Sequence, residues 1–76
     1  MSEGFIFAWQ RTDVAGRIHV TEDANHEGEN AAFGLSACSP ALRNFLVTHD
    51  TPPSPPIKVT FDLFMQNGDL FATNID

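Results

Sequence analysis

The run Ile57–Phe64, with the two residues Asn67-Gly68 just beyond it, constrains this chain most. Ile57, Val59, Phe61 and Leu63 alternate with Lys58, Thr60 and Asp62. That period of two puts successive side chains on opposite faces of a strand. Asn67-Gly68 follows, and both residue types tolerate the positive φ angles that a type I′ turn demands. Leu70–Ile75 then supplies a returning strand. The C-terminal part of the chain therefore predicts a β-hairpin.

Three more strands are expected upstream. From Gly4 to Thr12, Phe5, Phe7 and Trp9 alternate with Ile6, Ala8 and Gln10. Both sets contain apolar residues, so part of the second face is expected to be covered as well. Asp13 to Gly16 reads as a short connection to a second alternating run, Arg17-Ile18-His19-Val20-Thr21, and the two pair naturally as a hairpin. Glu22 to Asn30 is polar and acidic, with no apolar period, and predicts a mobile surface loop. Ala31 to Ala37 gives a third, weaker strand with Phe33 and Leu35 on one side.

Ser39-Pro40 is a helix-start signal, because serine caps free amide groups and proline suits the first helical position. Ala41, Leu42, Phe45 and Leu46 follow at helical spacing, which predicts a short helix of about two turns packed across the sheet. His49 to Pro56 carries Pro52, Pro53, Pro55 and Pro56. Such a segment predicts a stiff, extended connection, with a proline-rich ligand for an aromatic groove as the functional alternative.

Five short strands with one helix between the third and fourth predict an all-β fold, a five-stranded OB-fold-like Greek-key barrel. An SH3-like barrel competes on strand count. The 76 residues make a single domain over 1–76. A chain this short buries only about 60–65 % of its unfolded surface. That leaves little room for an enclosed cleft, so an exposed face is the expected working part and no enzyme is expected.

Cys38 is the only cysteine, which excludes an intramolecular disulfide and favours a reducing compartment. Met1-Ser2-Glu3-Gly4 shows no basic and apolar leader, and no apolar run is long enough to cross a bilayer. The expected location is cytoplasmic, without membrane contact. Four Lys/Arg against ten Asp/Glu give a formal charge of −6. This opposes tight binding to phosphate backbones, which draws on cationic side chains, and suits a basic protein surface.

Three stretches resemble one known family. Gly4, Trp9, Gly16 and Ile18 look like an opening strand followed by a glycine-aromatic nucleic-acid motif. Phe33-Gly34-Leu35-Ser36-Ala37 is similar to a phenylalanine-serine-alanine strand ending. Lys58-Val59-Thr60-Phe61-Asp62, Gly68 and Ala72-Thr73-Asn74-Ile75 look like a closing hairpin. In this order, across nearly the whole chain, they resemble the cold-shock domain family. The resemblance implies an OB-type barrel that binds single-stranded RNA or DNA by stacking bases on surface aromatics.

The departures fall on the family's binding residues. Where its first motif carries two phenylalanines, this chain reads Val14-Ala15-Gly16-Arg17-Ile18, one position shorter. Where its second motif carries phenylalanine, histidine and phenylalanine, this chain reads Ala32, Gly34 and Leu35. Only Trp9 of the stacking platform stays in register. The Ser39–Pro56 segment is also longer than the usual connection.

Candidate nucleic-acid-binding residues are Trp9, Arg11, Arg17, His19, Phe33 and Lys58. Trp9 either stacks on a base from an exposed face or fills the core, and the resemblance favours exposure. The cations either line a strip beside it or are scattered solubilising charge. Phe64, Met65 and Phe71 flank the closing turn and, exposed together, would form a protein-interaction patch. Asp23, His26, Glu27, Glu29, His19 and His49 offer metal-binding side chains without ligand spacing. No metal or other cofactor is expected, and Cys38 has no expected catalytic role.

Two functions remain open. One is a weak, divergent single-stranded nucleic-acid binder. The other is an acidic protein-interaction module, an inhibitor or regulator that has lost nucleic-acid binding. A monomer or weak dimer is expected in either case.

Overall fold

In a computed structural model, residues 2–48 and 57–76 are described. The elements are β1 (Ser2–Gln10), β2 (Ala15–Glu22), β3 (Asn30–Gly34), a 3₁₀ turn (Leu35–Ala37), α1 (Pro40–Val47), β4 (Ile57–Gln66) and β5 (Asp69–Thr73). The strands close into a barrel in the order β1-β2-β3-β5-β4, with β4 returning to β1. Every pairing is antiparallel except β3 with β5. This is the OB-like barrel expected from the sequence, with a short helix between the third and fourth strands.

Alternation drives the closure. Ile6, Ile18, Val20, Ala31, Val59, Phe61 and Ala72 point inward and are buried. The same strands turn Lys58, Thr60, Asp62, Arg17 and Ala32 outward. The chain end seals the seam: Ile75 N–H donates to Ala37 O (2.8 Å), Ser39 N–H to Ile75 O (2.8 Å) and Asp76 N–H to Thr60 O (3.0 Å).

The helix plugs the barrel. Ser39 Oγ accepts from Leu42 N–H and Pro40 takes the first helical position. Leu46 is fully buried, and its carbonyl accepts a hydrogen bond from Trp9 Nε1 at 2.9 Å. An indole N–H needs a partner once buried, and a carbonyl of the last helical turn needs a donor. This bond ties the helix to the opening strand.

The β2–β3 connection lies within the surface loop expected over Glu22–Asn30 and is built of turns. Asp23 Oδ2 accepts from the N–H groups of Asn25 and His26 at 3.0 Å each. Gly28 N–H returns to Val20 O (2.8 Å), and His26 Nδ1 meets Glu29 Oε2 at 2.8 Å. Short polar side chains that bond the backbone two or three residues on make turns, and Asp23 supplies that chemistry here. The third strand is also shorter than Ala31–Ala37, because the chain leaves the sheet at Leu35. The proline-rich segment and His49 lie outside the described residues.

Candidate functional site

Two registers across the barrel wall determine which side chains meet. The first row runs Lys58–Phe5–His19–Asn30 through β4, β1, β2 and β3. Residues directly opposite across paired strands share a face. Phe5 and His19 rings lie 5.4 Å apart, and His19 Nδ1–H donates to Asn30 Oδ1 at 3.0 Å. Phe7 joins them, and the four residues Phe5, Phe7, His19 and Asn30 line a shallow depression of about 390 Å³. Lys58 is exposed beside Phe5.

The second row runs Ala8–Arg17–Ala32–Phe71–Phe64 through β1, β2, β3, β5 and β4. Arg17 stands exposed between the two alanines. Around it, Ala8, Gln10, Asp13, Arg17 and Ala32 border a second depression of about 330 Å³. Arg11 sits in the β1–β2 turn at the end of this wall. Of the four basic side chains, Arg17 lies on β2, Lys58 on β4, Arg11 in the β1–β2 turn and Arg43 on the helix.

Trp9 and Phe33 are corrected by the structure. Both belong to the core, at 2 % and 3 % exposure. Their rings stack at 5.9 Å with 13° between planes, in the inward row Trp9–Gly16–Phe33. The cause is an irregularity in β1: the register shifts between Ile6 and Ala8, so Phe7 is the extra residue of a bulge. One added residue moves everything beyond it to the other face. Phe5 and Trp9 thus part company, Phe5 to the wall and Trp9 to the interior. Gly16 makes the stack possible, since a Cβ there would lie 2.7 Å from the Phe33 ring and 2.6 Å from Ala8 O.

Of the expected binding residues, Arg17, His19 and Lys58 are brought onto one wall. Phe5, Phe7 and Asn30 join them without having been singled out. The aromatic content of the wall was present in the sequence, but grouping Phe5 and Phe7 with Trp9 concealed it. Phe64 and Phe71 do meet, with rings stacked at 5.6 Å. Met65 does not share their face. It pairs with Leu70 and continues the inward series of β4 past the barrel's end, at 55 % exposure.

Cys38 is buried, and its desolvation pushes the thiol up to about 11, so it stays protonated at neutral pH. Among the described residues, no three His, Cys, Asp or Glu side chains gather as metal ligands, and no helix is long and apolar enough to cross a membrane. The fold and this wall together define a small OB-like barrel whose outer surface combines aromatic rings with cations. Compared with known proteins, the chain finds no counterpart: no family model, curated protein or solved structure matches it.

Proposed function

We propose that the protein is a non-catalytic, cytoplasmic binding domain that holds single-stranded nucleic acid weakly on its outer wall. The observation that carries this reading is the row Lys58–Phe5–His19–Asn30, with Arg17 in the next row. OB barrels take oligonucleotides on the face of their second and third strands and at the adjoining loops. Base–aromatic stacking tolerates any sequence, because every base has a π face, and flanking cations meet the phosphates. Phe5 and Phe7 replace the indole in the stacking role. The cold-shock resemblance of the sequence supports the same ligand class.

The test is a titration of fluorescently end-labelled single-stranded DNA and RNA, read by anisotropy. Trp9 emission is a poor reporter, since the indole is sealed in the core. Phe5→Ala is expected to weaken binding by about 1–3 kcal/mol with the fold intact by circular dichroism. No binding by the wild-type chain at any practical concentration, or full binding by Phe5→Ala, would defeat the proposal.

A second reading rests on the β4–β5 hairpin. Its outer face sets the Phe64–Phe71 pair between Asp62 and Asp69. Phe64 is 43 % exposed, and Asn74 Nδ2 holds Asp62 Oδ2 at 3.0 Å. Rings flanked by carboxylates attract arginine or lysine, so this face fits a basic protein segment. An arginine-rich peptide that binds the wild type and not Phe64→Ala would favour it.

A further inference from the structure

We infer that the depression around Arg17 is a base-recognition subsite selective for guanine in a single strand. This rests on the proposed binding wall and assigns to it a sequence preference. The floor carries the small outward side chains of Ala8 and Ala32, which leave room where bulkier side chains would fill the space. The rim carries two opposite charges, Asp13 from the β1–β2 turn and Arg17 from β2, with the Gln10 amide beside them.

That rim reads one base better than the others. An ionised carboxylate only accepts hydrogen bonds, through two oxygens, and a guanidinium only donates. Guanine presents adjacent N1–H and N2–H donors, which match both carboxylate oxygens of Asp13. It presents O6 and N7 as acceptors, which match the Arg17 fork. Cytosine and adenine set a ring-nitrogen acceptor beside their amino group, so one carboxylate oxygen would face a lone pair. Uracil and thymine offer a single N–H between two carbonyls. The depression lies one row from the tilted Phe5–His19 ring pair, so a neighbouring nucleotide of the bound strand has an aromatic support beside it.

The experiment compares end-labelled thymidine heptamers whose central base is thymine, guanine or hypoxanthine, the last lacking only the 2-amino group. The guanine heptamer is expected to bind roughly tenfold tighter than the all-thymine one, and hypoxanthine to lose most of that gain. Asp13→Asn is expected to erase the preference, bringing the guanine and all-thymine heptamers to the same affinity. Equal binding of all three heptamers overturns the guanine assignment and leaves the binding wall standing. So does a preference that survives Asp13→Asn. If no heptamer binds, the wall itself is misread and this subsite falls with it. Guanosine monophosphate displacing the heptamer at equal concentration would overturn the single-strand source in favour of a free nucleotide.

Discussion

Val14 occupies a backbone conformation that its own side chain opposes. It sits at φ +45 in the β1–β2 turn, with its side chain 50 % exposed. Its N–H donates to Arg11 O (3.2 Å) and its carbonyl accepts from Leu35 N–H (3.0 Å), so the surrounding bonds hold it there. A left-handed conformation costs an L-residue about 1–2 kcal/mol, and β-branched residues are rare in it. Glycine avoids that cost but adds roughly 0.5–1 kcal/mol of backbone entropy to the unfolded chain. Val14→Gly is therefore expected to stabilise the protein by about 0.5–1 kcal/mol, a rise of a few degrees in Tm. A fall in Tm by thermal circular dichroism would mean that the valine side chain contributes packing that outweighs the strain. Gly16 is the opposite case: the close approach of the Phe33 ring and the Ala8 carbonyl leaves no space for a methyl group there.

Elements with a strong local signal were legible, and those decided by register were not. Asn67 and Gly68 take φ of +54 and +83, as the dipeptide implies. Ser39-Pro40 starts the helix, and Ile57–Phe64 lies wholly within β4. The β1 bulge left no mark, because Phe5, Ile6, Phe7, Ala8 and Trp9 are all apolar. A period of two cannot locate an extra residue where both faces look hydrophobic, so it leaves the side of Trp9 open, and the resemblance that favours exposure points to the wrong side. The same strand pair holds a less visible conflict. Glu3 and Glu22 stand opposite each other, and like charges directly opposed destabilise a sheet. A side-chain hydrogen bond with Glu3, reinforced by its charge, raises the Glu22 pKa. A carboxyl raised in the folded state stabilises at pH below its unfolded pKa and loses that contribution as pH climbs through the folded value. Glu22→Gln is thus expected to raise Tm at neutral pH and to give no gain in acid below the carboxylate range. An equal gain at both pH values would show that repulsion is not the cause. Asp23 runs the other way, since bonds from Ser2 and the Asn25 amide lower its pKa. Its contribution is present above the ordinary aspartate range and lost as pH falls through the lowered value.

At the scale of the whole molecule, the formal charge of −6 and the local chemistry of the wall pull in opposite directions. Ten acidic residues would repel a polyanion at long range, yet on the proposed reading a phosphate of a guanine-free strand seated on the barrel would meet Arg17 and Lys58 first. Contacts within a Debye length, about 8 Å at physiological ionic strength, escape much of the distant field. The two opposing terms respond differently to salt. Each phosphate neutralised on a single strand releases counterions and contributes about −0.7 to the slope of log K against log salt. Two cations would give about −1.4. Screening of the acidic surface works in the opposite sense, because added salt weakens the net repulsion. Binding is therefore expected to fall with salt more shallowly than −1.4, and Lys58→Gln is expected to flatten the slope further by about half of that value. A steeper slope would require a third cation, such as Arg11 at the end of the wall. A slope unchanged by Lys58→Gln would remove Lys58 from the interface and shift the contact towards the Arg17 depression alone.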